Sequence, residues 1–552
     1  MMDYRFISNS IFETQFDMVM FSVIAVISTI LMIFVGYRLL QVLQLTGYKF
    51  KAYLKWFKET KYSYISRLFM LTFLSFLAMI ITNVLLGEFF TGHMHIFSYI
   101  GIIFYILFSS LFIVNLFNAK QKSPLKYTYR MKRLVVVYFL IVLALSWIVE
   151  YIGFKYLKLI SFGFISIMPI LLPLVVMLAY FITYPFERWI SNGYIKKAKK
   201  KLNSLNNLRI IGITGSYGKT SVKNILNTIL SEKYKICPTP SSYNTPLGLA
   251  KTVLTNLEPT DEIFIAEMGA RQQYDILELC NMVKPTVGVI TGIGNQHLST
   301  FSTIDNIMRT KGELADYVSK EGGRLYINVD GVYAKSLAQS YKNCVETSIG
   351  DGGKLNVSNI KTTKDGSTFD LELNGETVKC KTILLGEHNI SNILLACNVA
   401  VDLGLTLQEI ASGIEKLHSV SHRLEIIKSS TKFTIIDDSY NSSVQGCEAS
   451  IKVLSKFSGQ KFVITPGLVE LGKEQFNCNF EFGRIMASVC DYVIIDSTIN
   501  YDAISSGLIF AGFDESHIIQ AGSLSQAVKL LNDLAGADDV ILFENDLPDN
   551  YF

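Results

Sequence analysis

The sequence is poor in charged residues, cysteine and histidine for its length. Of 552 residues only 18% are charged, 8 are cysteine and 7 are histidine, whereas 50% are hydrophobic. This balance excludes a disordered chain, a collagen-like chain and an ordinary, wholly soluble protein. The cysteines form no C-x-x-C pair and no cysteine–histidine cluster at zinc spacing. We therefore expect a reduced compartment, without a disulfide framework or structural zinc.

Charge is divided unevenly along the chain. Residues 1–201 contain 22 Lys and Arg against 7 Asp and Glu, a net charge of +15, and the remainder contains 29 against 40, a net charge of −11. All eight cysteines lie in the acidic part. At roughly 150 residues per domain, the length indicates three or four domains. A basic, apolar half is thus joined to an acidic half of ordinary globular composition.

Five apolar runs of about 20 residues fill the first half, and each is long enough to span a membrane. The first run is not a signal peptide, because acidic residues precede it and further runs follow it. Few ionisable residues lie within the runs, so we expect an anchor or a lipid-binding groove rather than an ion pathway. The runs are Met18 to Leu40, Leu68 to Leu86, Ile96 to Phe117, Leu134 to Ile152 and Phe162 to Ile182.

Lysine and arginine cluster in alternate segments between these runs. They lie between runs one and two, between runs three and four, and after run five at Lys196 to Lys201. By the positive-inside rule these segments are cytoplasmic. The prediction is a multi-pass protein of a bacterial-type plasma membrane, with its N-terminus outside and everything after Gly193 in the cytoplasm.

The segment Tyr48 to Phe57 mixes Tyr53, Trp56 and Phe57 with lysines. This pattern is typical of an interfacial helix that contacts lipid headgroups or a polyprenyl phosphate. An ordinary cytoplasmic loop carrying interfacial aromatic residues is the alternative.

A glycine-rich loop opens the second half. The apolar strand Leu208 to Ile213 leads into T-G-S-Y-G-K-T-S, Thr214 to Ser221, and the helical pattern Val222 to Leu230 follows. This order presents backbone N–H groups and a helix N-terminus to an anion, with Lys219 to neutralise it. The strict G-x-x-x-x-G-K-[ST] pattern fails, because its first glycine would fall at Ile213. A surface turn before a helix is the alternative.

Two further predicted strands end in candidate metal ligands. Ile263 to Ala266 is followed by Glu267, and Val287 to Thr291 leads into G-I-G-N-Q-H-L with His297. Together with the Thr220 hydroxyl, these groups suit Mg²⁺ that bridges nucleotide phosphates. The alternatives are a helix-capping role for Glu267 and a structural hydrogen bond for His297.

Strand patterns continue to the end of the chain. Alternation in Phe369 to Leu373 before Asn374-Gly375 predicts a β-hairpin. Four later strands alternate with helices and predict a small doubly wound domain. They are Phe433 to Asp437, Phe462 to Thr465, Tyr492 to Asp496 and Val540 to Phe543.

Together with six later motifs, these residues resemble the Mur ligases, ATP-dependent enzymes that form amide bonds in cell-wall assembly. The similarity runs from Leu208 to Phe552 and is nearest to the MurF type, which joins D-alanyl-D-alanine to a UDP-muramyl tripeptide. The later motifs are T-K-G-E-L (Thr310 to Leu314), Y-I-N-V-D (Tyr326 to Asp330), G-E-H-N-I-S-N (Gly386 to Asn392), H-R-L-E (His422 to Glu425), D-D-S-Y-N-S (Asp437 to Ser442) and V-E-L-G (Val469 to Gly472).

The resemblance implies a domain organisation. A helical membrane domain at 1–190 and a basic linker at 191–206 precede an α/β central ATP-binding domain at 207–420 and a Rossmann-like α/β C-terminal domain at 421–552.

It also implies a mechanism and its residues. An acceptor carboxylate attacks ATP to give an acyl phosphate, and an amine then displaces the phosphate. By similarity Lys219 contacts the phosphates, Thr220 and Glu267 hold one Mg²⁺, His297 helps to hold a second, and Lys311 matches a lysine that several members carry as a carbamate. The implied catalytic residues are Lys219, His297, Lys311, Arg423 and Asp438, and the implied nucleotide contacts are Gly215, Ser216, Gly218, Lys219, Thr220, Ser221, Asn328, Asn389 and Arg423.

Some of these assignments have structural alternatives. Lys311 could be a surface lysine at a helix start, paired with Glu313. Asn389 and Asn392, which match residues near the nucleotide or its metal, could cap a helix that begins near Ser391. Arg423 and Asp438 match groups that complete the site when the domains close. Tyr440 and Asn441, on the same loop, are expected at the acceptor.

The sequence also departs from the family. The N-terminal domain that binds the UDP end of the precursor has no counterpart, and the apolar runs occupy its place. Asn441 to Val444 replace the familiar N-A-N-P, the histidine expected after V-E-L-G falls at Asn479 or Phe480, and Phe543 to Tyr551 replace a K-G-S motif. The ATP half of the pattern is intact and the substrate half is altered.

We therefore expect a membrane-bound, MurF-like ligase of cell-envelope synthesis. Its partners would be the lipid bilayer, a lipid-linked muropeptide or glycan acceptor, and an amino acid or dipeptide as amine donor, with no nucleic acid. Three alternatives stay open: a ligase that polymerises or appends amino acids, as in poly-γ-glutamate synthesis, an inactive Mur-like scaffold, and an ATP-driven transporter.

Overall fold

The computed structural model describes residues 19, 22–60, 62–82, 94–118, 123–156, 163–350, 354–427, 432–440 and 443–547. Two compact units divide between Ile190 and Ser191. Each unit has its own hydrophobic core.

The first unit is helical in its described residues. Five of its helices are long and apolar enough to cross a membrane. A helix is present at each of the five apolar runs. The second begins at Ser63, five residues before the predicted Leu68, and the predicted bounds Met18, Leu86 and Phe162 lie outside the described residues. The five apolar helices are α1 (Ser22–Leu45), α3 (Ser63–Ile80), α4 (Met94–Asn118), α5 (Tyr129–Tyr156) and α6 (Met168–Asn203). A shorter helix, α2 (Phe50–Glu59), lies between α1 and α3 in the sequence.

Helix α2 corresponds to the aromatic and lysine-rich segment. Tyr53, Trp56 and Phe57 are buried in the core of the first unit, whereas Lys51 and Lys55 are exposed. The segment is a helix rather than a loop, and its aromatic side chains pack against protein. The apolar face of this amphipathic helix is therefore buried within the first unit.

Two tyrosine hydroxyls bind the backbone of α1 where its helical geometry is interrupted at Gly36. Tyr138 Oη donates to the Met32 carbonyl at 2.8 Å, and Tyr64 Oη donates to the Val35 carbonyl at 2.7 Å. A Cβ on Gly36 would lie 2.2 Å from Tyr138 Oη, so only glycine leaves room for this contact. In apolar surroundings, these bonds satisfy side-chain hydroxyls that would otherwise be costly to bury.

The second unit begins with the last turns of α6. The segment expected as a basic linker is helical up to Asn203, and Ala198 and Leu202 are buried in the core of the following domain. Lys201 Nζ also donates to the Leu257 carbonyl at 2.6 Å.

A parallel six-stranded sheet forms the middle domain, with strand order β2-β3-β1-β4-β5-β6. The chain runs from β1 to one side of the sheet and returns to β4 on the other, so a crevice opens at the carboxyl ends of β1 and β4. The strands are β1 (Arg209–Thr214), β2 (Ile236–Pro238), β3 (Ile263–Glu267), β4 (Val287–Ile290), β5 (Arg324–Asn328) and β6 (Cys344–Thr347). The helices are α7 (Lys219–Leu230), α8 (Pro246–Thr255), α9 (Asp275–Val283), α10 (Leu298–Phe301), α11 (Ile304–Lys320), α12 (Val332–Ala338), α13 (Glu387–Asp402) and α14 (Leu407–Glu415).

An antiparallel three-stranded sheet is inserted before α13, built from β7 (Leu355–Thr363), β8 (Gly366–Leu373) and β9 (Glu376–Thr382). Asn374 and Gly375, with φ of 53° and 85°, form the turn between β8 and β9. Two consecutive residues with positive φ are the signature of a type I′ hairpin. The predicted hairpin is confirmed.

The C-terminal domain contains a second six-stranded sheet, with order β10-β11-β15-β12-β13-β14, parallel except where β10 pairs with β11. The doubly wound domain expected from the sequence is confirmed. Its strands are β10 (Glu425–Ile427), β11 (Thr434–Asp438), β12 (Lys461–Thr465), β13 (Tyr492–Ile495), β14 (Ile518–Gln520) and β15 (Val540–Glu544). Its helices are α15 (Val444–Leu454), α16 (Gln475–Ala487), α17 (Tyr501–Phe510) and α18 (Leu524–Leu534).

Candidate nucleotide and metal site

The glycine-rich loop lies in the crevice between β1 and β4. Ser216 N donates to the Gly292 carbonyl at 2.7 Å, and its hydroxyl donates to the Gly294 carbonyl at 3.1 Å. A Cβ on Gly215 would stand 2.1 Å from Thr291 Oγ1. The loop is therefore braced against the segment that follows β4, and with Ser216 only 2% exposed it is not a surface turn.

Helix α7 begins at Lys219, three residues earlier than the hydrophobic pattern indicates, so Lys219, Thr220 and Ser221 form its first turn. Gly218 precedes it with φ of 77°, a left-handed conformation suited to glycine. Lys219 Nζ donates to the Gly215 and Ser216 carbonyls at 2.6 and 3.0 Å. The ammonium thus lies across the loop whose N–H groups would receive a phosphate.

The pKa of Lys219 is lowered to about 8, chiefly by burial; the Glu267 carboxylate opposes this shift and the positive charge of Arg423 contributes to it. Arg423 belongs to the C-terminal domain, so both domains contribute charge to this site. A bound phosphate group would neutralise the positive charges of both Lys219 and Arg423.

Glu267 ends β3 as a buried carboxylate with three side-chain donors. Thr220 Oγ1 lies 3.1 Å from Oε2, Lys223 Nζ lies 3.0 Å from Oε2, and Asn244 Nδ2 lies 3.1 Å from Oε1. Thr220 and Glu267, which were expected to share one Mg²⁺, therefore lie in direct contact. Hydroxyl and carboxylate oxygens fit Mg²⁺, which is commonly held by one or two carboxylates together with phosphates and waters.

Sequence reasoning missed Lys223. Its side chain is 2% exposed, pairs with Glu267 and also donates to the Ser241 carbonyl. The available signal was a lysine four residues after Lys219, since residues four apart share one face of a helix. Lys223 connects the first helix after the loop, the end of β3 and the segment before α8.

Lys311 lies inside α11 and is 4% exposed, so the alternative of a surface lysine at a helix start is wrong. Burial lowers its pKa to about 7, the charge of Lys219 adds to this effect, and Asp275 and Glu313 oppose it. The Glu313 carboxylate accepts from the backbone N–H groups of Tyr274 and Leu277 at 2.7 and 2.9 Å.

His297 contacts the C-terminal domain. Its Nδ1 lies 2.5 Å from Glu470 Oε2, and Ser299 N donates to the Glu470 carbonyl at 3.0 Å. Across the described ranges, no three His, Cys, Asp or Glu side chains converge to hold a metal by themselves. A metal held here would therefore depend on phosphate and water oxygens for part of its shell.

Asn328, the last residue of β5, contacts the G-E-H-N-I-S-N motif. Asn328 Nδ2 donates to Ser391 Oγ at 2.6 Å, and its Oδ1 accepts from Asp330 N at 2.9 Å. Helix α13 begins at Glu387, so the expectation that Asn389 and Asn392 cap a helix starting near Ser391 is wrong. A Cβ on Gly218 would stand 3.0 Å from Asn392 Oδ1, which places that amide beside the glycine-rich loop.

The C-terminal domain supplies Arg423, Asp438 and Tyr440. The guanidinium of Arg423 lies 4.7 Å from the centre of the Tyr440 ring. Leu424 N donates to Asp438 Oδ1 at 3.2 Å, and burial together with the neighbouring Glu544 raises the pKa of Asp438 well above its usual range. Asn441 and Ser442 lie outside the described residues.

Glu544 is a second site residue that sequence reasoning missed. It pairs with Asp438 in the register of β11 and β15, is fully buried, and accepts from Cys447 Sγ at 3.1 Å and from Ser450 Oγ. Glu544 falls in the stretch that replaces the K-G-S motif. That departure from the family pattern was the signal available in the sequence.

The V-E-L-G motif forms a braced loop after β12. Asn479 Oδ1 accepts from Leu468 N at 2.8 Å and its Nδ2 donates to the Leu468 carbonyl at 2.9 Å, while Asn500 Nδ2 donates to the Pro466 carbonyl at 2.9 Å. Of the two positions proposed for the missing histidine, Asn479 is the one that binds this loop.

An α/β domain with a glycine-rich loop in its crevice, joined to a doubly wound domain that brings an arginine near that loop, is typical of two-domain, nucleotide-binding enzymes. The chain belongs to the Mur ligase family. The family model for the Mur ligase middle domain matches residues 213–400, and that for the Mur ligase, glutamate ligase domain, matches residues 422–544.

Curated relatives carry the name UDP-N-acetylmuramoyl-tripeptide–D-alanyl-D-alanine ligase. The Bacillus subtilis protein is 28% identical, with 63% of this chain and 75% of the relative covered, and the Escherichia coli protein is 27% identical, with 58% and 71% covered. The Buchnera aphidicola protein is 32% identical over 48% of this chain, which spans only 58% of that relative's length.

Solved structures agree in fold. MurF from Thermotoga maritima in complex with ADP superposes with a TM-score of 0.58 at 26% identity, covering 64% of this chain and 80% of that one. MurF from Acinetobacter baumannii gives a TM-score of 0.58 at 24% identity and 64% and 77% coverage. The resemblance to Mur ligases of the MurF type is confirmed, and members of this family are acid–amino-acid ligases that use ATP and Mg²⁺.

Proposed function

We propose that this protein is a membrane-bound, ATP-dependent ligase of peptidoglycan or related envelope synthesis that forms an amide bond through an acyl phosphate. The observation that carries the proposal is the glycine-rich loop with Lys219 across it and the Thr220–Glu267 pair beside it. An inactive scaffold would have no physical need to keep these buried charged groups together, since each is costly to bury.

In the proposed reaction an acceptor carboxylate oxygen attacks the γ-phosphorus of ATP, and ADP leaves. The donor amine then attacks the acyl carbon, inorganic phosphate leaves, and the amine loses a proton. Phosphoryl transfer is catalysed mainly by positioning and charge. Lys219 and Arg423 would neutralise the phosphates, and backbone N–H groups of the loop would orient them.

Glu267 and Thr220 would hold Mg²⁺, which supplies further neutralisation of the phosphate oxygens when bound. Asn328 and Asn392 would line the nucleotide side of the crevice. The positive charge of Arg423 partly offsets the rise in the pKa of Asp438, and the proposal directs its guanidinium toward the phosphates.

Lys311 is proposed to act as a carbamate. A buried ammonium is unfavourable, and Asp275 and Glu313 only partly offset this cost, so that the pKa of about 7 leaves much of this amine neutral at neutral pH. Only a neutral amine adds carbon dioxide, and the product is an anion that can hold a second Mg²⁺. Carbon-13 bicarbonate should give a carbamate resonance in the parent protein that is absent from Lys311→Arg.

The acceptor is proposed to be lipid-linked, either a muropeptide or a glycan, with an amino acid or dipeptide as donor. The five apolar helices at the start of the chain support this, as does the density of cations in the segments predicted to be cytoplasmic. One of these cations, Arg130, lies 3.8 Å from the centre of the Tyr48 ring. The relatives, by contrast, are named for a UDP-linked tripeptide.

ADP release by the detergent-purified protein tests the proposal. One arm contains UDP-muramyl tripeptide with D-alanyl-D-alanine, and the other contains a lipid extract of the same cells with amino acids or dipeptides. Stimulation by the lipid arm alone supports a lipid-linked acceptor, and stimulation by the soluble precursor alone refutes it. Lys219→Ala should abolish release, with Lys235→Ala as the surface control, and an unchanged rate in Lys219→Ala would overturn the ligase assignment.

A further inference from the structure

Two residues in left-handed backbone conformations face each other between the middle and C-terminal domains. His297, at the start of α10, has φ of 55°, and Glu470, in the loop after β12, has φ of 63°. Their side chains lie 2.5 Å apart, and Ser299 N donates to the Glu470 carbonyl. Non-glycine residues seldom adopt this conformation and keep it only where their surroundings determine it.

Buried asparagine side chains hold the loop that carries Glu470. Asn479 accepts from and donates to the backbone of Leu468, and Asn500 donates to the carbonyls of Pro466 and Leu468. Asn545 Nδ2 donates to the Gly467 carbonyl at 2.7 Å. The Glu470 carboxylate is therefore presented by a fixed loop rather than by a mobile one.

On the other side, His297 ends the segment that follows β4. This is the segment that braces the glycine-rich loop, through Gly292 and Gly294. His297 thus lies between the segment that contacts the glycine-rich loop in the middle domain and the Glu470 carboxylate of the C-terminal domain.

We propose that Glu470 is a positioning residue for His297 in metal binding, an inference that rests on the function proposed above. In the proposed arrangement Nδ1–H donates a hydrogen bond to the Glu470 carboxylate, and Nε2 keeps the lone pair that can bind a metal. A carboxylate on the second nitrogen fixes both the tautomer and the ring orientation of a metal-binding histidine. Because Glu470 comes from the C-terminal domain, this histidine becomes competent only when the two domains meet.

Mn²⁺ binding to the full-length, detergent-solubilised protein in the presence of ADP tests this, with paramagnetic resonance as the readout. Glu470→Ala and Glu470→Gln should weaken Mn²⁺ binding about 10- to 100-fold, the loss typical of outer-sphere partners of metal ligands. ADP affinity measured without metal should not change. In a His297→Ala background, Glu470→Ala should have no further effect, since the two residues act as one unit.

Two control variants distinguish the positioning of His297 from a general disturbance of the interface between the middle and C-terminal domains. Glu474→Gln removes an exposed carboxylate four residues away and should bind Mn²⁺ like the parent. Gln445→Ala removes a different contact between the domains, because a Cβ on Gly294 would stand 2.7 Å from Gln445 Oε1, and it should also retain Mn²⁺ affinity.

Parental Mn²⁺ affinity in both Glu470 variants, or an equal loss in Gln445→Ala, would overturn the positioning role and leave the ligase proposal intact. Absence of any ADP-dependent Mn²⁺ binding by the parent protein would instead overturn both.

Discussion

Lys223 and Glu267 form an ion pair almost wholly shielded from water, with side chains 2% and 1% exposed. Lys235 and Glu258, in the same domain, form a pair of similar length at 2.7 Å whose side chains are 52% and 64% exposed. Removing one member of a buried pair leaves an uncompensated charge, whereas an exposed charge is hydrated and screened. These two lysines therefore allow a matched comparison.

Lys223→Met should lower the free energy of unfolding of the middle domain by about 3–5 kcal/mol, because Glu267 stays buried without its cation. Added Mg²⁺ with ADP should restore part of the loss, since the metal supplies positive charge to the same carboxylate. Denaturant titration measures both effects, and Lys235→Met serves as the control with little change. Equal sensitivity of the two variants would contradict the assignment of Lys223.

Asp438 and Glu544 are opposite each other on neighbouring strands, and their carboxyl groups are both buried. Since the pKa of Asp438 is raised in the fold, its contribution to stability is present below its unfolded pKa of about 4 and is lost as the pH rises through the folded value. Glu544→Gln should therefore reduce the fall in the apparent melting temperature of the C-terminal domain between pH 5 and pH 9. Glu481→Gln, an exposed change in the same domain, should keep the parental slope. A parental slope in Glu544→Gln would contradict the pairing.

At the scale of elements, the sequence predicted β1, β3, β4 and four strands of the C-terminal domain, because apolar periodicity and glycine loops are local signals. The short strands β2, β6, β10 and β14 were not predicted. The sequence also misplaced the starts of α7 and α13, where polar residues such as Lys219 and Asn389 belong to the helix and face the site rather than solvent. It could not predict the contact of Glu470 with His297, which is 173 residues distant in the chain and depends on how two domains pack. Long-range polar contacts leave no periodic pattern in a single sequence.

Among the buried amides that hold the loop after β12, Asn479 makes three hydrogen bonds, to Leu468 N, the Leu468 carbonyl and the Gln475 carbonyl. Asn479→Ala removes all three, but Asn500 continues to donate to the Leu468 carbonyl. The main loss is the partner of Leu468 N, which should cost about 1–3 kcal/mol where water does not reach this group. Hydrogen exchange should show faster exchange in residues 466–472, while Asn477→Ala, which loses only an exposed contact with Glu474, should not. Unchanged protection in Asn479→Ala would contradict the bracing role.

At the scale of the whole molecule, the second unit has hydrophobic cores of its own, and the helical turns from Ser191 onward contribute Ala198 and Leu202 to one of them. A chain that begins at Ser191 should therefore fold without detergent and bind ADP with Mg²⁺ as the full chain does. If the first unit holds a lipid-linked acceptor, this shortened chain should lose ADP release with the lipid extract. Full retention of that lipid-stimulated activity would contradict a substrate-holding role for the first unit.

The distribution of cysteine has a practical consequence for labelling. The first 236 residues contain no cysteine, and burial raises the thiol pKa at seven of the eight cysteines, which are Cys237, Cys280, Cys344, Cys380, Cys397, Cys478 and Cys490. The eighth, Cys447, is buried. Thiols react with maleimides as thiolates, so these side chains should react slowly at neutral pH. A cysteine placed at the exposed Tyr127 would then carry almost all of the label. Its protection from an impermeant reagent in intact cells, and its labelling after lysis, would report directly which side of the bilayer that segment occupies.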